Sequence, residues 1–443
     1  MAYEVIIGRT KADREKYGTK GAILLGKQYV KMGQITSLSN PIYMDTTTSH
    51  VVFICGKRGS GKSYTMGVVC EGMSSLPPEI SSNIAVVMLD TMGIYWTMKY
   101  PNQKDKKLLG EWGLKATALD IKIYTPKRYH KTFQKEGIPT DFSFSIKPSE
   151  LSPTDWCLTF DIDINSEQGA FIDKIISHLN EQEENYDIKD IINAVQKEKD
   201  AHKYIIDSTT NRFIAANSWG LFDREGTALS DLIIGGQVTI LDVSCYAITP
   251  GAEGIRALVI GLVSKKLFLE RMIARKKEEH ESVHASAYAL IEEVKEKLEY
   301  PLVWLVIDEA HEFLPREGKT TSSDALITIL REGRQPGISL ILASQQPGKI
   351  HEDVMTQSDI VISHRLTAKI DIDALGTIMQ SYMREGLDKQ LNNLPDLAGS
   401  GVVFDDLNER MYPIRVRPRL SWHGGSAPTA MRKVKEKENK IVF

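Results

Sequence analysis

Residues 51–63 read VVFICGKRGSGKS: five apolar residues, then two cations among three glycines, then Lys62-Ser63. A short apolar run closed by a turn reads as a buried strand. The turn fits the pattern G-x-x-x-x-G-K-[ST] across Gly56–Ser63. In such a loop backbone N–H groups converge on phosphate oxygens, and glycine permits the close approach and the φ values required. The next residues, KSYTMGVVCEGM, read as a helix whose N-terminal dipole adds to the cradle. Lys62 is then set to reach the β- and γ-phosphates of a nucleotide, and Ser63 to ligate magnesium. Gly56, Arg58, Gly59, Ser60, Gly61, Lys62, Ser63 and Tyr64 are the expected nucleotide-binding residues. A glycine-rich turn matching by chance is the rival reading, and the strand–loop–helix context argues against it.

A phosphate loop needs an acidic partner. PLVWLVIDEA (301–310) ends an apolar strand on Asp308 and Glu309. Asp308 is expected to hold magnesium through water and Glu309 to polarise the attacking water. ATP and Mg2+ are thus the expected cofactors, and an ATP-hydrolysing enzyme the expected class. The alternative, a charged strand end that caps a helix, loses weight beside the loop. One more clear strand, QVTILDVS (237–244), lies between the two motifs in the chain, and SLILAS (339–344) follows them. In P-loop ATPases with a catalytic glutamate, an extra strand separates the two Walker strands, and a polar residue at the next strand tip senses the γ-phosphate. Gln345 stands where that sensor belongs.

Arginines follow in REGRQPG (331–337), directly after the apolar-periodic DALITILREG. In ring ATPases an arginine at a subunit edge completes the neighbour's site and stabilises transition-state charge. Arg334 is the leading candidate, with Arg331 and Arg365 (in ISHRL) as additional ones. A solvated salt bridge is the other fate open to each.

A chain of 443 residues exceeds one compact core. The expected fold class is α/β: a RecA-like P-loop ATPase core with a mainly parallel sheet, a small N-terminal β module and a helical insertion. Short β-like pieces (EVIIG, AILLG, IYMD) mark the module over 1–45. The first part of the core spans 46–130. Helical spacing in FIDKIISHLNEQEEN and DIKDIINAVQKEKDAHKYI marks a mainly helical insertion over 131–235. The rest of the core runs over 236–425, and a charged tail, read as a helix, over 426–443.

The net charge of −3 gives no global basic field, which weakens a nucleic-acid reading without excluding a basic channel. Cationic pieces at 104–107 (KDKK), 271–277 (RMIARKK) and 415–419 (RVRPR) could line such a channel or form solvated faces. The four cysteines (Cys55, Cys70, Cys157 and Cys245) form no CxxC pair, so structural zinc is not expected and a reducing compartment is. The N-terminus has no signal-peptide core and no run of about 18 apolar residues occurs, so a cytoplasmic protein without a membrane span is expected.

Taken together, HVVFICGKRGSGKS, WLVIDEAHEFLP, LREGRQPGISLILASQQP and PIRVRPRLSWHGG resemble the HerA family within the HerA/FtsK ATPases, ring-forming DNA translocases. The similarity runs from about His50 to Gly425 and is interrupted over 131–235. It implies that Lys62 and Ser63 are the Walker A lysine and hydroxyl, Asp308 and Glu309 the Walker B pair, Arg334 the arginine finger and Gln345 the motif III glutamine. LDTMGIYW (89–96) is similar to the family's Asp-Pro-His-Gly-Glu-Tyr motif: Asp90, Gly93 and Tyr95 match, whereas Thr91, Met92 and Ile94 do not. The first 45 or so residues stand where the family has a β-barrel and are too few for a full copy. The resemblance further implies a homo-oligomer, a hexameric ring with double-stranded DNA in a central channel. It also implies a partner nuclease of the NurA type or a defence effector, in DNA repair or antiviral work. Two other classes stay open: a conjugation- or secretion-type pumping ATPase, and an ATP-controlled assembly platform for an effector.

Overall fold

The computed structural model describes residues 3–32, 35–182, 185–248, 254–287, 298–376, 390–391 and 393–425. The charged tail expected over 426–443 lies outside them. The strands are β1 (Val5–Ile7), β2 (Ala22–Met32), β3 (Ile35–Asp45), β4 (Val51–Cys55), β5 (Ile84–Asp90), β6 (Ile121–Pro126) and β7 (Phe142–Phe144), continuing with β8 (Val238–Asp242), β9 (Leu302–Ile307), β10 (Ile338–Ser344), β11 (Ile360–His364), β12 (Ser400–Asp405) and β13 (Arg410–Val416). They form one sheet in the order β1-β3-β2-β13-β12-β11-β4-β10-β9-β5-β8-β6-β7.

From β11 to β7 every neighbouring pair is parallel. Strands of a parallel sheet covered on both faces read as continuous apolar runs. IAVVMLD and ISLILAS are buried at every position. Alternate residues serve opposite layers: Phe53, Val87 and Leu305 join one apolar cluster, Val52, Val86 and Trp304 the other. The helix Lys62–Ser74 covers the second layer with Met66, Val68, Val69 and Met73. The long helix Ile255–Ala287 and the helix Ser323–Glu332 cover the first. The fold is therefore α/β: a large, mostly parallel sheet covered on both faces by helices, as expected for a RecA-like core.

Residues 5–45 contribute β1–β3, which extend the same sheet through antiparallel pairing of β2 with β13. Between β7 and β8 lie the helices Pro153–Thr159, Glu167–Gln182, Ile188–Lys197 and Lys203–Ser218. Their aromatic knot of Trp156, Phe160 and Phe213 belongs to the same apolar cluster as Leu305.

The strand that separates the two Walker strands is β10, not the QVTILDVS strand that lies between them in the chain. β10 pairs with both β4 and β9, while β8 lies beyond β5 on the far side of β9. Sequence order alone cannot distinguish these placements, because a parallel sheet is wound by crossovers.

At the opposite edge, where β4 begins, buried His50 bonds Asp359 through Nδ1 at 2.6 Å and lies 3.3 Å from Asp45 through Nε2. Asp45 also accepts from Arg9 Nε at 3.1 Å. Burial alone lowers the His50 pKa, but the two carboxylates overcome it and raise the imidazole to about 9.

The cationic run RVRPR is mostly interior. Arg417 and Arg419 are buried and both pair with Glu71, itself wholly buried, at 3.0 and 3.1 Å. The N–H groups of Leu420 and Ser421 complete the carboxylate's shell at 2.9 and 3.0 Å. At these two positions the run is neither a channel lining nor a solvated face. An unpaired buried charge is so unfavourable that the guanidiniums stay with their carboxylate.

Candidate active site

The ends of β4, β10, β9 and β5 converge, and the predicted loop leaves β4 there. Gly59 and Gly61 take φ of +76° and +115°, in the region that favours glycine. A Cβ on Gly56 would lie 2.4 Å from Ser60 Oγ and 2.7 Å from His364 Cβ, so this position has no room for a side chain. Lys62 is buried, and its Nζ donates to the Gly56 carbonyl at 3.1 Å. Ser63 Oγ donates to Asp308 Oδ2 at 2.7 Å. Arg58 is exposed on the outer side of the loop. The Tyr64 side chain turns away from the cradle: its hydroxyl accepts from the Arg419 N–H at 2.7 Å, and its ring meets His423 edge-on. What Tyr64 can offer a phosphate is backbone, because its phenol is committed to the segment 419–423.

Glu309 follows Asp308 with φ 50° and ψ 44°, an uncommon left-handed conformation for a non-glycine residue. Its N–H donates to Asp308 Oδ1 at 2.9 Å, and its side chain is largely buried. Burial, then the neighbouring Asp308 charge, pushes the Glu309 carboxyl up to about 7, against the opposing pull of Lys62 and the Gln345 N–H. That value suits a group that exchanges a proton near neutrality. Glu309 Oε2 is buried without a hydrogen-bond partner among the described residues; His311 Nδ1, at 3.5 Å, is placed close but not bonded. His311 instead meets Ser344 Oγ at 3.2 Å, at the tip of β10 beside Gln345.

Two residues outside the expected set of site residues brace this arrangement. His364, at the end of β11, is fully buried against the loop. Its Nδ1 lies 3.0 Å from the Ser400 carbonyl, which can only accept, so Nε2 accepts from Thr65 Oγ1 at 2.8 Å. Burial lowers its pKa to about 4 and keeps the ring neutral. The signal was available, since ISH ends an apolar strand on a polar residue, but nothing in the sequence places β11 beside β4. Tyr95 is the second; its hydroxyl donates to Asp308 Oδ2 at 3.2 Å.

The three arginines diverge. Arg331 pairs with Asp353 at 2.7 Å, and Arg365 with Asp396 at 2.8 Å. Arg334 is exposed just past the helix Ser323–Glu332 and makes no ion pair among the described residues.

The donor set fits a nucleotide with a hard divalent cation. A hydroxyl and a carboxylate converge beside a glycine cradle and a buried lysine. Ser60 Oγ, buried without a hydrogen-bond partner among the described residues, offers the loop a further polar atom. Fold and site together define an ATP-hydrolysing P-loop enzyme.

Comparison with known proteins narrows the class. The family "Helicase HerA, central domain" (DUF87) matches residues 30–249. A probable DNA double-strand break repair helicase HerA of Methanocaldococcus jannaschii is 23% identical over 408 residues, 86% of this chain and 74% of that protein. The DNA double-strand break repair helicase HerA of Sulfurisphaera tokodaii is 24% identical over 324 residues, 71% of this chain and 54% of that one. Among solved structures, VirB4 of Thermoanaerobacter pseudethanolicus superposes with a TM-score of 0.53 at 12% identity, covering 90% of this chain and 96% of that chain. The last is a likeness of fold alone. The chain belongs to the HerA family of ATPases.

Proposed function

We propose that the protein is an ATP-driven DNA translocase or helicase that works as a hexameric ring in the cytoplasm, with double-stranded DNA in the central channel. Each ATP lies between two subunits. One supplies Lys62, Ser63, Asp308, Glu309 and Gln345, and the next supplies Arg334. Ser63 and Asp308 are the residues that would hold magnesium, which when bound would supply positive charge against the phosphates. Lys62 then binds the phosphates, Glu309 takes a proton from the attacking water, and Gln345 orients the γ-phosphate. Motor work would serve DNA end processing or antiviral defence, with cutting done by a partner nuclease or effector.

The observation that carries this reading is Arg334. Its guanidinium is exposed without an ion pair among the described residues, whereas Arg331 and Arg365 are each held by a carboxylate of their own chain. An arginine next to the catalytic strand, yet without an ion pair among the described residues, is suited to a neighbour's nucleotide. The relatives named as DNA repair helicases support the choice of DNA. No helix among the described residues is long and apolar enough to cross a membrane. The VirB4 likeness, being of fold alone, does not favour a secretion pump.

Two measurements test the proposal: particle mass with and without ATP, and hydrolysis with and without double-stranded DNA. A ring and several-fold stimulation are expected. A strict monomer, or hydrolysis indifferent to DNA alone and with a partner, overturns it.

A further inference from the structure

The motif LDTMGIYW matches its family counterpart only at Asp90, Gly93 and Tyr95, and these three form a single device. β9, β5 and β8 lie side by side, with Leu89 opposite Ile307 and Asp90 opposite Asp242. The next residue after Ile307 is Asp308, so three carboxylates, those of Asp308, Asp90 and Asp242, end adjacent strands. Like charges so close are unfavourable unless each is bonded.

Asp90 offsets part of this by capping the turn that follows, although burial and then Asp242 still push its carboxyl up to about 7. Its Oδ1 accepts from the N–H of Met92 at 3.1 Å and of Gly93 at 2.7 Å, and its Oδ2 from the N–H of Tyr95 at 2.9 Å. Gly93 is required twice over: its φ is +67°, and a Cβ there would lie 2.7 Å from Ser244 Oγ. The capped turn delivers the Tyr95 ring into the interior at 1% exposure. Its hydroxyl stands 3.2 Å from Asp308 Oδ2, the atom that also accepts from Ser63. Met66 Sδ is 3.5 Å away, but the phenol has one proton and a carboxylate is much the stronger acceptor. Burial holds the phenol well above its ordinary pKa, so it remains a donor. The mismatched position Met92 is 59% exposed and takes no part through its side chain.

We infer that Tyr95 is a positioning residue for the magnesium site: through the Asp90-capped turn it fixes the Asp308 carboxylate that faces Ser63. The inference rests on the proposed role of Ser63 and Asp308. Outer partners of metal-binding carboxylates fix their orientation, and removing one typically costs roughly 10- to 100-fold in metal affinity.

The test is binding of a fluorescent ATP analogue, first in EDTA and then along a Mg2+ titration, with no turnover needed. Tyr95→Phe keeps the ring and removes only the hydroxyl. It is expected to leave the EDTA affinity unchanged and to raise the half-saturating Mg2+ concentration about 10-fold. Gly93→Ala, which displaces the turn, should shift the midpoint in the same direction, and combining it with Tyr95→Phe should add little. Met92→Ala should change nothing. A wild-type midpoint in Tyr95→Phe, or an equal shift in Met92→Ala, overturns the inference. If Ser63→Ala abolishes the Mg2+ dependence while Tyr95→Phe leaves it intact, only the inference fails. If the wild type shows no Mg2+-dependent binding, the reading of Ser63 and Asp308 fails with it.

Discussion

Ser63 and Asp308 share a 2.7 Å hydrogen bond although 245 positions separate them in the chain. The contact exists because β10 inserts between β4 and β9 and holds the two Walker strands one strand apart. If both residues hold one magnesium, their effects on catalysis are not independent. Ser63→Ala and Asp308→Asn should each lower magnesium-dependent kcat/KM by about 10- to 100-fold. The double variant should be little worse than the more damaging single one. Strict additivity of the two losses counts against a shared site.

Glu309 combines a left-handed backbone, a buried carboxylate and an Oε2 without a hydrogen bond among the described residues. These features suit a group that receives a proton from water rather than one that holds structure. Glu309→Gln keeps the shape and removes the base. ATP binding should persist while kcat falls about 10²- to 10⁴-fold. Normal turnover in this variant removes Glu309 from the base role.

Most of the site was legible because its parts are local. VVFICG, the glycine loop and Lys62-Ser63 are contiguous, and LVIDE carries both acids on one strand end. What was not legible depends on strand order. Nothing in ISHRL says that His364 lies behind Gly56, since β11 reaches β4 only in the finished sheet. Tyr95 was visible as a motif match, but its target became apparent only with β5 beside β9. RVRPR misled for the same reason. Its alternation of arginine with apolar residues and proline suggests surface charge, and only the fold brings Glu71 from the Walker A helix to meet it.

The proposed arginine finger, Arg334, makes a prediction of its own. Arg334→Ala should lower kcat by about 10³-fold or more if the residue acts on a neighbour's ATP. Arg331→Ala should cost little turnover, because Asp353 already holds that guanidinium. Mixed rings offer the sharper check: subunits carrying Arg334→Ala, combined with subunits carrying Glu309→Gln, contain some interfaces with both residues intact. Hydrolysis should partly return. A mixed ring that stays inactive argues for a finger acting within its own subunit or for no finger.

Glu71 holds two buried guanidiniums, and the Arg419 side chain fills the space over Gly67, where a Cβ would meet its Cζ at 2.6 Å. Removing the carboxylate strands both cations in the interior. Glu71→Ala should therefore destabilise by about 3–5 kcal/mol, read as a lower urea midpoint. A loss below about 1 kcal/mol would mean that the arginines find water instead.

His50 gives the molecule a pH dependence that can be assigned to one side chain. Its partners are Asp359 and Asp45, with Arg9 also on Asp45 and Thr48 Oγ1 3.0 Å from Nε2. The folded pKa, about 9, exceeds the ordinary 6.5. A raised pKa stabilises the fold fully below the unfolded value, and that contribution disappears as pH rises through the folded one. From pH 6.5 to 9.5 the protonated ring should thus cease to contribute about 3 kcal/mol. His50→Gln retains an amide between the two carboxylates but cannot titrate. The urea-derived stability difference between wild type and His50→Gln should be largest near pH 6 and shrink steadily to pH 9.5. A difference constant across that range would show that His50 contributes packing and hydrogen bonds, with no charge at stake.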